Sequence, residues 1–207
     1  MKDIVIIGAG GFGKEVAWLI EQINKKSPTW NLLGFVDDYL SIGSMINGFE
    51  VLGPIEYLKD KSLDVVCSIS DSATRKKIME SLAQSELKFA TLIHPLVELS
   101  TTVDIGEGSI ICEGARFTVN VKIGKHVIIY HNDVICHDVV IEDYVSLMPS
   151  VNLSGKVTIG EGTFVGVGAK IIQNIDIGKN AIIGAGSVVI QNVPSNSTVV
   201  GVPAKIK

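Results

Sequence analysis

Cysteine, aromatic side chains and basic charge are all scarce in this chain of 207 residues. Aromatic residues make up 6% of it, and acidic side chains outnumber basic ones to give a formal net charge of −4. An acidic balance argues against nucleic acid as the partner, because phosphate groups are bound by basic patches. The three cysteines, Cys67, Cys112 and Cys136, lack metal-site spacing and favour reduced thiols in a cytoplasmic protein.

Long apolar runs are also missing. No stretch reaches the roughly 18 apolar residues that a transmembrane helix needs, so we expect no membrane partner. The apolar start, residues 3–7, is too short for a signal peptide and runs directly into a glycine loop. The chain length predicts two domains, since domains commonly hold about 100–150 residues.

Glycine, in contrast, is abundant, and an aliphatic residue recurs at every sixth position from Ile105 to Val189, with Phe117 as the aromatic exception. A fixed short period with one apolar site per repeat is typical of a solenoid. Six residues are too few for a helical repeat, and the enrichment in Val and Ile favours strands. Residues 103–192 therefore predict a triangular β-solenoid of about five coils, in which residues eighteen apart lie directly above one another. Glycines expected to supply unusual backbone angles at its corners are Gly106, Gly124, Gly160, Gly178 and Gly184.

The residues before the solenoid are predicted to form an α/β domain. Residues 2–7 read as a buried strand, the run GAGGFG follows at residues 8–13, and helical periodicity begins at Lys14. Strand, G-x-G-x-x-G and helix in this order form a nucleotide-binding fingerprint, in which N–H groups at the helix start bind phosphate. Further strands are predicted at residues 32–36, 63–69 and 88–93, with a helix up to Ser81.

Asp37 and Asp38 end the second predicted strand, where carboxylates can reach a ribose or a base. Asp37 follows Gly8 by 29 residues (37 minus 8), more than the roughly 20 expected of an NAD ribose contact. The segment before the solenoid also suffices for only one of the two halves of a dinucleotide fold. A mononucleotide or nucleotide sugar is therefore favoured over NAD. The alternative is a glycine turn that only packs a helix against a strand.

His137 is followed by Asp138 and lies two positions after an inward aliphatic residue, so both side chains are predicted at an outward corner. An imidazole with a neighbouring carboxylate is a suitable general base. Gly155 is predicted one coil above His137, where its N–H can donate to a carbonyl oxygen. The alternative is a surface histidine in a turn. His131 lies on a different face, and Asp133 occupies an inward position that is costly for a carboxylate without hydrogen bonds.

Together these motifs resemble one family. They are GAGGFG at residues 8–13, GFVDD at 34–38, ISD at 69–71 with Arg75, His137-Asp138, and GVPA at 201–204. The chain is similar to the hexapeptide-repeat sugar O- and N-acetyltransferases with an N-terminal glycine-loop domain, which include sialic acid, UDP-4-amino-sugar and GDP-perosamine acetyltransferases. The resemblance implies a Rossmann-like α/β domain at residues 1–93, followed by a left-handed parallel β-helix at residues 94–207.

The resemblance also implies an acetyl-CoA-dependent sugar acetyltransferase without a metal. It would work as a homotrimer, with acetyl-CoA between adjacent subunits and a nucleotide-linked amino sugar on the N-terminal domain. His137 matches the catalytic base, Asp138 its acidic partner and Gly155 the backbone donor. The other positions that match acetyl-CoA contacts are Gly166, Val167, Gly168, Ala169, Gly184, Ala185, Gly186, Pro203 and Lys205. The positions that match nucleotide-sugar contacts are Gly10, Gly11, Phe12, Asp37, Asp38, Ser70, Arg75, Tyr130 and His131.

Three positions differ from the family pattern. Phe12 stands in place of a histidine, Tyr130 in place of an asparagine and Ser146 in place of a second histidine. The acceptor side therefore matches less closely than the CoA side, and O-acetylation of a sugar or of sialic acid stays open beside N-acetylation. Two further functions stay open: a metal enzyme like the γ-class carbonic anhydrases, using His126 and His131, and a non-catalytic trimeric scaffold that binds a nucleotide sugar.

Overall fold

The computed structural model describes all 207 residues, which divide into two compact units. The first unit comprises Met1–Ser70 and Thr74–Pro95, and the second comprises Asp71–Ala73 and Leu96–Lys207. Neither α-helix combines the length and the apolar character that crossing a membrane requires.

The first part of the chain alternates short strands with two helices. The strands are β1 (Lys2–Ile7), β2 (Trp30–Val36), β3 (Met45–Ile46), β4 (Phe49–Gly53), β5 (Asp64–Cys67), β6 (Lys88–Phe89) and β7 (Leu92–Ile93). The helices are α1 (Gly11–Lys26), α2 (Ser72–Ser81) and one 3₁₀ turn (Ile55–Leu58). One six-stranded sheet has the order β3-β4-β2-β1-β5-β6, and every neighbouring pair in it is parallel except β3 and β4. The fully buried residues of β1 mark it as the central strand, as in other parallel sheets.

This sheet confirms the predicted Rossmann-like domain but shifts several strand bounds. β2 begins earlier than predicted, at Trp30, and the segment predicted as one last strand is divided into β6 and β7. The prediction also missed the hairpin of β3 and β4, although its turn is the Asn-Gly pair typical of hairpins. Gly34 explains how β4 can reach β2, because a Cβ at Gly34 would lie 2.3 Å from the carbonyl oxygen of Glu50.

The second unit confirms the predicted β-helix, with one two-residue strand in each hexapeptide. These strands are β8 (Asp104–Ile105), β9 (Ile110–Ile111), β10 (Arg116–Phe117), β11 (Lys122–Ile123), β12 (Ile128–Ile129), β13 (Val134–Ile135), β14 (Val140–Ile141), β15 (Ser146–Leu147), β16 (Asn152–Leu153), β17 (Thr158–Ile159), β18 (Phe164–Val165), β19 (Lys170–Ile171), β20 (Asp176–Ile177), β21 (Ile182–Ile183) and β22 (Val188–Val189). A terminal hairpin follows, β23 (Thr198–Gly201) and β24 (Ala204–Ile206).

Each strand of the β-helix pairs in parallel with the strand one coil away. Ile123 pairs with Ile141 and Ile141 pairs with Ile159, so the predicted vertical spacing of eighteen residues is confirmed. Three sheets result: the β8 sheet (β8, β11, β14, β17, β20), the β10 sheet (β10, β13, β16, β19, β22) and the β9 sheet (β9, β12, β15, β18, β21, β23, β24). The second residue of nearly every strand points inward and is buried, which forms a continuous aliphatic core.

Left-handed residues, one for each turn, form vertical columns at the three corners. The column beside His137 consists of Asn120, Asp138, Lys156 and Asn174, with φ between 57° and 60°. Asparagine, aspartate and glycine tolerate this conformation best. The prediction for the five corner glycines, Gly106, Gly124, Gly160, Gly178 and Gly184, was wrong, because none of them has a positive φ. They are needed for close stacking instead: a Cβ on Gly160 would lie 2.6 Å from the backbone nitrogen of Lys179 in the next coil.

Asp133 lies inside the coil and is fully buried. Its Oδ1 accepts the N–H of Val151 at 2.7 Å, and its Oδ2 accepts the N–H of Tyr130 at 2.9 Å. Burial nevertheless raises the pKa of the Asp133 carboxyl to about 9, against the opposing effect of these N–H donors. The Asp133 side chain therefore links the corner that carries Tyr130 to the next coil through hydrogen bonds to two backbone N–H groups.

Candidate active site

His137 and Asp138 lie in the turn between β13 and β14, at a corner that we call the His137 corner. The left-handed φ of Asp138, 60°, turns the chain so that the two neighbouring side chains meet. Oδ2 of Asp138 lies 2.9 Å from Nδ1 of His137. This contact favours the tautomer with its proton on Nδ1, which leaves the lone pair of Nε2 free to accept a proton. The His137 side chain is 56% exposed, so a substrate can reach that nitrogen.

Each carboxylate oxygen of Asp138 has its own hydrogen-bond partner. Nδ2 of Asn120, one coil below, donates to Oδ1 of Asp138 at 3.0 Å. The hydrogen bond from His137, followed by that from Asn120, holds the pKa of the Asp138 carboxyl below its ordinary value. Asp138 is therefore ionised at neutral pH and can stabilise a positive imidazolium. The prediction from the sequence missed Asn120, although its position eighteen residues before Asp138 is enough to place it there.

Gly155 lies directly above the His137 ring, as the period predicts. A Cβ on Gly155 would lie 2.4 Å from Cε1 and 2.5 Å from Nε2 of His137, so any side chain at this position would require the ring to move. The N–H of Gly155 donates to no acceptor within the chain, whereas its carbonyl accepts the N–H of Asn174 at 3.1 Å. An open cavity of about 280 Å³ is lined by His137, Gly155, Lys156, Gln173 and Asn174. This cavity therefore brings the imidazole of His137 and the unused N–H of Gly155 into one space.

The remaining predicted acetyl-CoA loops lie at a different corner of the β-helix. The His137 turn joins the β10 sheet to the β8 sheet, whereas residues 166–169 and 184–186 join the β9 sheet to the β10 sheet. His131 lies at this second corner, which we call the His131 corner, with its ring edge-on to Tyr130 at a centroid distance of 5.7 Å. A single chain therefore does not bring these loops together with His137.

Within the His131 corner the predicted residues differ in what they expose. Val167 is 52% exposed, while Ala169 is fully buried and can offer only its backbone to a ligand. Gly168 and Gly186 can likewise offer only their backbone, which has a left-handed conformation and faces open space at both residues. Gly184, beside Val200, and Ala185, in the turn before β22, belong to the same corner. The exposed Pro203 and Lys205 lie in the terminal hairpin.

The predicted nucleotide-sugar residues of the first unit cluster at the carboxyl ends of β1 and β2. Oδ2 of Asp37 accepts the N–H of Ala9 at 2.9 Å, and Oδ1 accepts the N–H of Tyr39 at 2.9 Å. Asp37 thereby fixes the glycine loop to the end of β2. Gly10 and Gly11 are exposed at the start of α1, where no side chain caps the helix, so N–H groups are available to an anion. A cavity of about 150 Å³ beside the loop is lined by Ile7, Gly8, Val36, Asp37, Asp38, Tyr39, Ile55, Ile69, Thr74 and Ile78.

Other predicted substrate residues of this unit make contacts within the unit itself. Oδ1 of Asp38 accepts the N–H of Ile55 at 2.8 Å. Phe12 is 8% exposed and Arg75 is 1% exposed, so neither side chain is open to solvent. Nη1 of Arg75 donates to the carbonyls of Ile69 at 2.6 Å and Ser70 at 3.2 Å, which fixes the loop that leads into α2. Direct contact of these residues with a substrate stays a prediction.

His126, proposed above as a metal ligand, is buried in a stack of corner residues. Its ring lies parallel to the ring of Tyr144 at a centroid distance of 5.2 Å, and Gly108 leaves room for it in the coil below. No group of three or more His, Cys, Asp or Glu side chains in the chain is arranged to hold a metal ion.

Comparison with known proteins identifies relatives of both units. Residues 3–82 match the family described as PglD N-terminal domain, and residues 156–191 match the bacterial transferase hexapeptide (six repeats). GDP-perosamine N-acetyltransferase of Escherichia coli O157:H7 is 35% identical over 175 residues, which cover 82% of this chain and 78% of the relative.

Two solved structures are similar over their full length. The acetyltransferase domain of PglB from Neisseria gonorrhoeae, in complex with acetyl coenzyme A, has a TM-score of 0.92 and 32% identity and covers 100% of this chain and 99% of that one. PerB from Caulobacter crescentus, in complex with CoA and GDP-perosamine, has a TM-score of 0.89 and 31% identity. The match covers 100% of this chain and 98% of PerB. The chain therefore belongs to the nucleotide-amino-sugar N-acetyltransferases, the hexapeptide-repeat acyltransferases that carry an N-terminal glycine-loop domain.

Proposed function

We propose that this chain transfers the acetyl group of acetyl-CoA to the amine of a nucleotide-linked amino sugar. The observation that carries the proposal is the His137–Asp138 pair beneath the unused N–H of Gly155. The two substrates are suggested by the relatives: the PglB domain structure holds acetyl coenzyme A, and the PerB structure holds CoA with GDP-perosamine. The chemistry follows from this chain's own residues.

In the proposed reaction, the acceptor amine attacks the carbonyl carbon of the thioester in a ternary complex. Nε2 of His137 takes the proton of the amine as the new N–C bond forms. The carbonyl oxygen becomes negatively charged and accepts a hydrogen bond from the N–H of Gly155. The C–S bond then breaks, and the departing thiolate of CoA takes the proton from the imidazolium. Asp138 stabilises the imidazolium and keeps the proton on Nδ1 throughout.

Direct transfer fits the positions of the cysteines better than a covalent acetyl-enzyme. A thiol attacks as a thiolate, and burial raises the pKa of the Cys67 thiol to about 11. Cys112 is 4% exposed, so a thioester cannot reach it. Cys136 precedes His137, but no hydrogen bond joins its sulfur to the ring, and Nδ1 of that ring is engaged by Asp138. His137 is therefore assigned to the acceptor amine.

A homotrimer is part of the proposal, because one chain divides the expected acetyl-CoA contacts between two corners. The side chain of His137 is more than half exposed in the single chain, whereas charge stabilisation in catalysis works best where water is excluded. In a threefold assembly, the His131 corner of one subunit would face the His137 corner of the next and complete the acetyl-CoA site. A cytoplasmic location belongs to the same proposal, since all three cysteines are free thiols.

The nucleotide of the acceptor is assigned to the first unit. The exposed N–H groups at Gly10 and Gly11 suit a diphosphate, and the adjacent cavity of about 150 Å³ suits a ribose or part of a base. Asp37 and Asp38 lie at this cavity and offer carboxylates to hydroxyl or N–H groups.

The test is release of the CoA thiol from acetyl-CoA in the presence of single acceptors. A suitable panel consists of UDP-, GDP- and dTDP-linked 4-amino sugars, the corresponding 4-hydroxy sugars and free sialic acid. We expect thiol release with one nucleotide-linked amine, together with a product that is heavier than this acceptor by one acetyl group. Release with a hydroxyl acceptor alone would assign O-acetylation instead. Nucleotide-sugar binding without any acetyl-CoA binding or turnover would favour the non-catalytic scaffold.

A further inference from the structure

A chain of polar contacts runs up the His137 corner from below the catalytic pair. Oγ1 of Thr102 accepts the N–H of Asn120 at 2.9 Å, and Nδ2 of Asn120 donates to Oδ1 of Asp138 at 3.0 Å. Oδ2 of Asp138 lies 2.9 Å from Nδ1 of His137. Thr102, Asn120 and Asp138 are spaced one coil apart, so the period of the β-helix produces this alignment.

The two oxygens of Asp138 have separate partners, and this separation fixes the plane of the carboxylate. Rotation about the bond to the carboxyl group would break the contact with Asn120 and the contact with His137 together. The backbone of Asn120 is itself anchored, because Oγ1 of Thr102 holds its N–H and lies 3.1 Å from Oγ of Ser100. The orientation of the imidazole therefore depends on a side chain that lies one coil below the reacting atoms.

We propose that Asn120 is a positioning residue for acetyl transfer, which orients Asp138 so that His137 carries its proton on Nδ1 and presents Nε2 as the base. This inference rests on the proposed function for its kinetic consequence. Its structural consequence, the tautomer of His137, can be measured without any substrate. Asn120 does not touch the reacting atoms in this account, and its effect reaches them through Asp138.

The fold does not need the amide of Asn120. Asn120 is exposed and has a φ of 57°, which glycine adopts without strain. Glycine fills equivalent left-handed positions at the other corners, for example Gly114 with φ 77° and Gly162 with φ 69°. The substitution Asn120→Gly therefore removes the donor and leaves the turn intact. Asn120→Asp is the sharper variant, because it keeps the size of the side chain and replaces the donor with a carboxylate facing Asp138.

Asn180→Gly supplies the matched control. Asn180 has a φ of 52° in the corner column that also holds His126, and its amide contacts only Asn196 at 3.4 Å. The same chemical change is thus made in the same kind of turn, at a corner that carries no part of the proposed site. The midpoints of unfolding of Asn120→Gly, Asn120→Asp and Asn180→Gly, compared with that of the wild type, report any general loss of stability.

The first measurement is the tautomer of His137 in the free protein. Long-range ¹H–¹⁵N spectra are recorded at pH about 8.5, where an ordinary imidazole is neutral, and the His137 signals are assigned with a His137→Asn sample. We expect the Nδ1-protonated form in the wild type and in Asn120→Gly a mixture with the Nε2-protonated form. An unchanged tautomer in both Asn120→Gly and Asn120→Asp would overturn the proposed orientation.

The second measurement is steady-state acetyl transfer. With the acceptor found in the panel, we expect Asn120→Gly to lower kcat by about tenfold, comparable with the loss of one charge-assisted hydrogen bond, and to leave the KM for acetyl-CoA unchanged. Asn180→Gly should retain wild-type kcat. Wild-type kcat in both Asn120 variants would overturn the positioning role. Absence of turnover in the wild type would overturn the proposed function instead, while the tautomer still decides whether Asn120 orients the pair.

Discussion

Gly155 and His137 approach so closely that a Cβ on Gly155 would lie 2.4 Å from Cε1 of the imidazole. The two residues lie at the same corner of successive coils. The absence of a side chain on Gly155 therefore leaves room for the ring and also opens the backbone N–H to a ligand. The imidazole of His137 and the N–H of Gly155, proposed as the base and the oxyanion donor, share one small space because the repeat places the two residues eighteen positions apart.

Gly155→Ala should lower kcat strongly. The added methyl group must displace the His137 ring, and a misplacement of about 1 Å can cost roughly a hundredfold in rate. Acetyl transfer is measured at saturating substrates, and the rate is corrected for the folded fraction.

Gly160→Ala is the control for this prediction, because its methyl group would lie 2.6 Å from the backbone nitrogen of Lys179 at a corner without catalytic residues. Both variants are expected to lose stability through crowding. After correction for the folded fraction, kcat should be lower than in the wild type for Gly155→Ala and unchanged for Gly160→Ala. Equal kcat in the two variants would show that the contact with His137 has no part in the reaction.

Asp37→Ala should weaken binding of the nucleotide sugar and spare acetyl-CoA. Asp37 holds the N–H of Ala9, so its removal frees the glycine loop from the end of β2. We expect the KM for the nucleotide sugar to rise by about tenfold, which corresponds to one hydrogen bond to a charged group, with little change in the KM for acetyl-CoA.

Asp3→Ala is the control for Asp37, since Asp3 lies near the amino end of β1 and its Oδ1 makes an exposed contact with Asn31 at 2.8 Å. It should leave both KM values unchanged. If Asp37→Ala behaved in the same way, the glycine loop would not be the nucleotide site.

Asp133 should make the stability of the β-helix depend on pH. Burial raises the pKa of the folded carboxyl to about 9, whereas an unfolded aspartate titrates near about 3.9. Between these values the folded state binds more protons than the unfolded state, so this group's contribution is full at low pH and is lost as pH rises towards about 9. Asp133→Asn removes that titration, and it also leaves a buried N–H poorly paired, at a cost of about 1–3 kcal/mol at every pH.

Urea unfolding at pH about 5, 7 and 9 measures this effect. The unfolding free energy of the wild type should fall relative to that of Asp133→Asn as pH rises over that range, and the wild type should become the less stable of the two before pH about 9. Asp104→Asn, a change of an exposed aspartate in the same β-helix, should run parallel to the wild type. A constant difference between the wild type and Asp133→Asn would show that the buried carboxyl does not stay protonated in this range.

The period made most of the β-helix predictable from the sequence. Vertical neighbours follow from residue numbers alone, which placed Gly155 above His137 and could equally have placed Asn120 below Asp138. The corner glycines were misread because glycine serves two purposes in this repeat. Gly162 and Gly168 supply a positive φ, whereas Gly160 and Gly178 allow coils to stack closely, and composition does not separate the two uses.

The first unit was predictable in type but less so in detail. The strand, glycine loop and helix at its start have a strong local signal. The hydrogen bond from Ala9 to Asp37 joins two segments that are distant in the chain, and no local pattern reveals it. The separation of the predicted acetyl-CoA loops from His137 is a property of the coil with its three corners, and it emerges only when each loop is assigned to its pair of sheets.

The most direct test of the account is the turnover number of His137→Ala with the amine acceptor identified in the panel. General-base catalysis contributes about 10²–10⁴-fold, so kcat should fall by that order, while binding of acetyl-CoA measured by calorimetry stays close to wild type. A variant that bound acetyl-CoA normally and kept wild-type kcat would contradict the account, because the base would then have to be another group.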